Sequence, residues 1–318
     1  MVEALRARGR SVAVVDTVAG AIPRQDEDDV LVRTVSRKPP TLSQLVEFKA
    51  RERDVTLLDI PALLEAEVIF LVLHGRQGEG GELQAALENG GLTYTGSGVR
   101  GSQLAMDKDR SKRMFRDAGV PTPEWLMWPA DAEEIAAVGY PLVVKPSKAG
   151  STVGLSVVQG PDALEAAVRL ALTVDGEVVL ERFAPGRELT VGVLGDAALT
   201  VGEIIPQHQI FDYECKYTPG MTEEIFPAVI SQSLTDRVRT LALDAHRTLE
   251  LRDFSRVDFR LDADGIPLCL EANTLPGFTG TSLLPQSAAA CGIDFPELCH
   301  QIIGLALRRA VTGNKVKS

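Results

Sequence analysis

The stretch Phe254–Leu284, FSRVDFRLDADGIPLCLEANTLPGFTGTSLL, restricts the fold more than any other part of the chain. Its first half alternates. Val257, Phe259 and Leu261 point one way, and Arg256, Asp258 and Arg260 the other, which is the period of a strand over Ser255–Leu261. Asp262-Ala-Asp-Gly265 is a turn of the kind that joins antiparallel strands, and Ile266–Leu270 is the return strand, delivering Glu271, Ala272 and Asn273. Pairing across that turn can bring Asp258 near Glu271 and Asn273, although Asp258 and Glu271 lie 271 − 258 = 13 positions apart. Glu271 and Asn273 are two apart and share a face. Two carboxylates and an amide oxygen converging on one spot form an all-oxygen ligand set, which suits Mg²⁺ with phosphate oxygens completing the shell. Any one of these acids alone reads as part of a solvated acidic face. The ordered set with Arg256 beside it reads as a ligand cluster.

At 318 residues the chain is long enough for two or three domains. Its 45% hydrophobic and 24% charged content is that of an ordinary globular protein. A formal net charge of −11 argues against nucleic acid or an acidic membrane surface as partner, but leaves room for a locally basic pocket that takes an anion. Cys215, Cys269, Cys291 and Cys299 have no CxxC spacing, so structural thiols in a reducing, cytoplasmic setting are expected. No apolar run approaches the roughly 20 residues of a membrane span.

The residues Met1–Arg10 read as the back half of an amphipathic helix, followed by a buried strand over Ser11–Val15. An α/β domain usually opens with a strand, a loop and a helix, so the chain enters mid-unit. Residues 20–38 read as a loop, and a helix is expected around Leu42–Arg51. Glu67–Leu73 is nearly all apolar, as a central parallel strand would be, and it leads into His74-Gly-Arg-Gln-Gly-Glu-Gly-Gly81. A helix over Glu82–Leu87 and a short strand around Leu92–Thr95 follow. Loops at the ends of parallel strands are where open α/β sheets hold ligands. There is no GxGxxG, which speaks against a Rossmann dinucleotide site.

Further on, Asp107–Gly119 reads as a basic helix, Pro121-Thr-Pro123 as a linker, and Leu142–Lys145 as a strand ending in a lysine. The loop Pro146–Gly154 is rich in glycine and hydroxyls and returns as a strand over Val153–Val158. Such a hairpin can fold over phosphates, although it is not a Walker loop. Pro161–Val174 is helical. Glu177–Phe183, Glu188–Leu194 and Leu199–Ile205 are strands, and the segment after Glu181 looks like a domain connection of the type that reads adenine. Some 20 irregular residues over Pro206–Phe226 suggest an active-site lid. Helices over Ser231–Leu249, Ser287–Gly292 and Pro296–Val311 complete the reading. A carboxylate–amide cluster, a phosphate-folding hairpin with placed lysines, and a lidded pocket with arginine together describe phosphoryl transfer from a nucleotide to a small acid.

At this point the chain resembles the D-alanine–D-alanine ligases of the ATP-grasp superfamily, from about residue 3 to about residue 310. The resemblance rests on an ordered series: HGRQGEGG at 74–81, YTGSG at 94–98, MDKDRSK at 106–112, VKPSKAGSTVG at 144–154, ERFAPGRELTVGVLG at 181–195, FDYECKY at 211–217, RVDF at 256–259 and LEANTLPGFTGTSLLP at 270–285. It implies an ATP-grasp α/β fold with an N-terminal parallel-sheet domain over 1–95, a central subdomain over 96–186 and a catalytic domain over 187–318, with ATP between the last two. It implies that ATP and two D-alanines give the dipeptide, ADP and phosphate for peptidoglycan synthesis. Lys108 and Lys145 would contact the phosphates. Glu181 with the backbone at Arg182 and Ala184 would hold adenine, and Glu188 the ribose. Asp258, Glu271 and Asn273 would bind two Mg²⁺ ions, with Mn²⁺ able to substitute. Ser151 and Thr152 would cover the phosphates and Lys216 would reach the transferring group from the lid. Arg256 and the N–H of Gly277 would form the oxyanion site, Ser282 and Leu283 would seat the second carboxylate, His74 would sit beside the first substrate, and Tyr217 would meet Ser151. In this family tyrosine at that lid position goes with amino-acid acceptors and phenylalanine with hydroxy acids. The family commonly forms homodimers.

Two departures stand out. The family opens with a strand and a glycine-rich loop carrying a glutamate for the first substrate's ammonium, and this sequence starts after that point; the expectation is a true start upstream. The family's Gly-Glu-Asp-Gly reads Gly78-Glu-Gly-Gly81, with Gly80 in place of aspartate. The alternatives are another ATP-grasp carboxylate–amine ligase, or an impaired nucleotide-binding relative.

Overall fold

The structure is a computed structural model and describes residues 1–31, 41–51 and 58–316. Two antiparallel sheets dominate it. The first has the order β3-β6-β4-β5, with β3 Trp125–Trp128, β4 Leu142–Pro146, β5 Ser156–Val158 and β6 Val178–Arg182. The second has the order β11-β10-β7-β8-β9, with β7 Glu188–Leu194, β8 Ala197–Pro206, β9 Thr222–Ile225, β10 Phe254–Leu261 and β11 Pro267–Asn273. A small hairpin pairs β1 Val14–Asp16 with β2 Gly20–Ile22.

Each sheet buries one face under a helix. Helix Leu164–Leu172 turns Leu164, Ala167, Val168 and Ala171 onto Leu142, Val144 and Leu180 of the first sheet. That spacing of three and four residues is what an amphipathic stripe requires. Helix Gln232–Thr248 does the same for the second sheet, with Val238, Ala242 and Ala245 against Val191, Val257 and Phe259. The alternation read in β10 is what the fold uses, since Val257 and Phe259 are fully buried under the helix and Asp258 faces the other way, toward Thr190. Register places Asp258 opposite Glu271 and Arg256 opposite Asn273.

The segment before residue 95 shares its core with the end of the chain. Leu71, Leu83, Leu87 and Tyr94 pack with Leu284, Leu298 and Ile302. Arg309 of helix Phe295–Val316 reinforces this by pairing with buried Asp253 and donating to the Tyr94 carbonyl at 2.6 Å; Asp253 also accepts from the Gly96 N–H at 2.9 Å.

Several expectations need correction. Glu67–Leu73 is not a strand; it makes one parallel bridge, Ile69 to Tyr94, with Ile69 N–H donating to Thr93 and Thr95 N–H to Ile69. Leu92–Thr95 is reduced to the other half of that bridge. A parallel strand is stabilised by neighbours on both sides, and among the described residues this one has a single neighbour. The strand expected over Ser11–Val15 is β1, half-buried and antiparallel. The loop expected over 20–38 begins as β2 and two short helical turns, Arg24–Asp26 and Glu27–Val30; residues 32–38 lie outside the described residues. The linker after Pro121 leads at once into β3, which sequence reading did not assign. The return strand of the phosphate hairpin starts only at Ser156, because Ser151 and Thr152 adopt left-handed backbone, φ +56° and +58°. The lid is not irregular throughout. It holds helix Tyr213–Tyr217, capped by the Asp212 side chain, and then β9.

Candidate functional site

The two sheets face each other across a cleft. Lys108, Lys145, Ser151, Thr152, Glu181, Ala184, Glu188, Lys216, Asp258 and Glu271 all line it. Each reaches it by a simple local device. Lys145 is the penultimate residue of β4. Lys108 opens a helix whose cap, Asp107, accepts the Arg110 N–H at 3.1 Å. Glu188 opens β7, and Lys216 rides on the short lid helix.

At the inner end of the cleft the carboxylate of Glu181 lies between two ammonium groups, Lys145 at 2.8 Å and Lys112 at 2.7 Å. Burial alone would raise the Glu181 carboxyl, but the two cations outweigh burial and hold it below the usual range. Lys112 is completely buried. Its ammonium also donates to Thr122 Oγ1 at 2.6 Å, and lies 5.1 Å from the Trp125 ring. Thr122 in turn donates to the Cys269 carbonyl of β11 at 2.8 Å. Sequence reading missed Lys112, although it lies one helical turn after Lys108 within the quoted MDKDRSK.

In the middle, Lys108 donates to the Ala149 carbonyl at 2.7 Å and stands 3.4 Å from Glu271. Burial would raise the Glu271 carboxyl; Lys108, Lys216, Lys145 and Arg256 reverse that and bring it to about 2. Burial pushes the Glu188 carboxyl up to about 7, because the pull of Arg260 and Lys216 does not offset it and the Asp258 and Glu271 carboxylates add to it. Arg260, a second residue that sequence reading left unassigned, alternates on the same face of β10 as Asp258 and stacks 4.8 Å over Phe183.

Asp258 is heavily held. It accepts from Thr190 at 2.7 Å, from Arg256 at 2.9 and 2.8 Å, and from Asn273 Nδ2 at 2.9 Å. Asn273 therefore commits its amide N–H groups to Asp258 and to the Arg256 carbonyl, which leaves its oxygen without a described protein partner. Glu271 kept ionised, Asp258 oriented and a spare amide oxygen make a donor set of hard oxygens, and this fits a divalent cation of the Mg²⁺ type.

The outer end is built from loops. His74 is solvent-exposed and donates through Nδ1 to the Leu275 carbonyl at 3.0 Å. A Cβ on Gly277 would come within 3.0 Å of Ser282 Oγ, so the loop passes close over that hydroxyl. Ser282 Oγ accepts the Thr279 N–H at 3.0 Å and bonds the Thr279 hydroxyl at 2.8 Å. Leu283 is buried with Phe211 and Cys215 of the lid. Glu79 also faces this end. It accepts the N–H groups of Gly75 at 2.9 Å and Leu275 at 3.4 Å, and burial lifts its carboxyl to about 7 against the pull of Arg256. Glu79 carried no expectation, although it stands within HGRQGEGG. The neighbouring Gly80 has a local explanation, because a Cβ there would lie 2.4 Å from the Arg76 carbonyl.

Two expected contacts are absent among the described residues. Tyr217 makes no hydrogen bond with Ser151; its ring packs 4.6 Å from Tyr213. Arg182 does not line the cleft. Its N–H is taken by the Glu124 carbonyl at 2.8 Å, and its guanidinium donates to the Val138 carbonyl at 2.8 Å.

The family described as D-ala D-ala ligase C-terminus matches residues 114–304. A D-alanine–D-alanine ligase of Anaeromyxobacter sp. (strain Fw109-5) is 43% identical over 298 residues, covering 90% of this chain and 95% of the relative. One from Synechococcus sp. (strain JA-3-3Ab) is 46% identical over 250 residues, 77% of each chain. Among solved structures, the D-alanine–D-alanine ligase of Bacillus anthracis complexed with ATP is similar at TM-score 0.73 and 32% identity, over 85% of this chain and 92% of that one. The VanG D-Ala:D-Ser ligase of Enterococcus faecalis is similar at TM-score 0.67 and 34% identity, over 76% and 73%.

Proposed function

The chain belongs to the D-alanine–D-alanine ligase family and has its ATP-grasp fold, and from that premise we propose that it joins two D-alanines at the expense of ATP, for peptidoglycan synthesis in the cytoplasm. The observation that carries this reading is the convergence of Lys108, Lys145 and Lys216 on a cleft whose floor holds Glu271 opposite Asp258, with Arg256 beside them.

A carboxylate is a poor electrophile. In this reading an oxygen of the first D-alanine attacks the γ-phosphorus of ATP, the bond to the β,γ-bridging oxygen breaks, and ADP leaves with that electron pair. Lys145 and Lys108 hold the phosphates, Ser151 and Thr152 cover them, and Lys216 neutralises the transferring group from the lid. Asp258, Glu271 and Asn273 hold Mg²⁺, two ions with Mn²⁺ able to substitute, and these supply charge neutralisation on the phosphates. Glu181 and the backbone at Ala184 hold adenine, and Glu188 the ribose. The amine of the second D-alanine, seated by Ser282 and Leu283, then attacks the acyl phosphate. Arg256 and the Gly277 N–H take the charge on the tetrahedral oxygen, and phosphate leaves. Losing one such donor typically costs on the order of 10²–10³ in rate. His74 and Glu79 border the first substrate. The lid excludes water, which would otherwise hydrolyse the acyl phosphate.

The test is ADP release by the purified chain on addition of D-alanine, with the dipeptide identified by mass spectrometry. ATP turnover indifferent to D-alanine would overturn the proposal. A second acceptor is favoured by one finding, the similarity to a D-Ala:D-Ser ligase. A panel of D-alanine, D-serine and D-lactate separates the two, and Tyr217 argues for an amino acid over a hydroxy acid.

A further inference from the structure

The lid carries a second cluster that the ligase reading does not use. His208, Asp212 and Cys215 bring one imidazole nitrogen, one carboxylate oxygen and one sulfur within 4.8 Å of one another. His208 Nδ1–H donates to Asp212 Oδ2 at 2.7 Å. The other oxygen of Asp212 accepts the Cys215 N–H at 2.9 Å, so the helix cap fixes the carboxylate and leaves Oδ2 turned to the imidazole. Cys215 is buried beside Ile204, Phe211 and Leu283, while His208 is exposed.

We propose that His208, Asp212 and Cys215 form a binding site for a borderline-soft divalent cation such as Zn²⁺, which clamps the lid. The donor set argues for that class. Nitrogen, sulfur and oxygen together suit Zn²⁺, with bonds of ~2.0–2.3 Å, whereas Mg²⁺ takes oxygen alone. Tetrahedral bonds of that length put ligand atoms ~3.3–3.8 Å apart, so the cluster needs only a small contraction. Three protein ligands leave a fourth position, open on the exposed His208 side, for water. Binding replaces the thiol proton and the proton between His208 and Asp212, both of which go to solvent. The clamp acts where the lid meets the cleft. Cys215 is followed directly by Lys216, which lines the cleft, and is buried in one cluster with Leu283. An occupied site ties the short helix to the strand–lid junction at His208 and opposes the opening that product release requires. The binding is independent of the ligase reading; the effect on turnover rests on it.

The experiment uses the full chain with its thiols reduced. Co²⁺ serves as a spectroscopic probe, and Zn²⁺ affinity is measured by competition with a chromophoric chelator. One equivalent should bind, with a near-ultraviolet thiolate-to-cobalt band. The band should vanish in Cys215→Ser, persist in Cys291→Ser, and affinity should fall about tenfold or more in His208→Ala. His208 is exposed, so that variant folds even if Cys215→Ser does not. In excess Mg²⁺, Zn²⁺ should slow ADP release by the unmodified chain and not by His208→Ala. A band that survives in Cys215→Ser, or an affinity unchanged in His208→Ala, would overturn the site. Binding as expected without any effect on turnover would leave the site standing and overturn the clamp.

Discussion

Replacing Lys112 by methionine removes a charge that no solvent reaches. The ammonium is wholly buried and shares the Glu181 carboxylate with Lys145, at 2.7 and 2.8 Å. Removing one partner of a buried pair typically costs ~3–5 kcal/mol. Glu181 keeps Lys145, so the expected loss is at or below the low end, about 3 kcal/mol. Glu181→Gln should be worse, because it leaves two buried ammonium groups facing one neutral amide. Two cations on one carboxylate are about 5 Å apart, and at an effective dielectric of ~20 their uncompensated repulsion is about 3 kcal/mol. The double variant Lys112→Met/Glu181→Gln removes that repulsion, so it should be more stable than Glu181→Gln alone by about 2–3 kcal/mol. Urea unfolding followed by tryptophan fluorescence measures all three, since the Trp125 ring lies 5.1 Å from the Lys112 ammonium. If the two penalties simply add, the shared-carboxylate account is wrong. The same variants should raise KM for ATP and leave KM for D-alanine near its original value.

Glu271→Ala and Asp258→Ala should each lower ADP release by 10²-fold or more while circular dichroism stays native; near-normal turnover in either would refute the metal reading. Glu79 predicts a pH dependence. Its carboxyl rises from 4.5 unfolded to about 7 folded, so the folded state holds the extra proton and stability falls as pH rises between these values. A shift of that size corresponds to at most about 3 kcal/mol, and less here because Glu79 is only half-buried. Glu79→Gln should flatten that slope in urea titrations at pH 5 to 8, and an unchanged slope would count against it. Tyr217→Phe should admit D-lactate as acceptor, tested by mass spectrometry of the product; an unaltered acceptor profile would refute a specificity role for this position. Gly80→Asp should destabilise the chain, because its Cβ would meet the Arg76 carbonyl at 2.4 Å; thermal unfolding at the original temperature would show that the loop relaxes.

The hairpin β10–β11 was legible from sequence because a strand's period of two is a local property. Val257 and Phe259 announce the buried face, Asp258 must then lie on the other, and the turn at Asp262–Gly265 sets the register that puts Glu271 opposite it. Helix Gln232–Thr248 was legible from its own local period, a spacing of three and four residues, and the glycine loop at Pro146–Gly154 from its composition. The short strand at Trp125–Trp128 was not, because four half-buried residues between a proline linker and a helix carry no periodicity to read. Glu67–Leu73 has the composition of a central strand, but whether such a run becomes one depends on neighbours elsewhere in the chain, and here it has one bridge.

The sequence by itself therefore determined the strands and helices with a clear period, the oxygen-rich hairpin and the order of the motifs. Only the tertiary structure decided which charges meet. Lys112 reaches Glu181 across 181 − 112 = 69 positions, and Glu79 reaches the Leu275 N–H across 196. Periodicity encodes which side of an element is buried. It carries no information on which carboxylate that side will face, since this is set by how helices and sheets pack and by the desolvation that packing imposes.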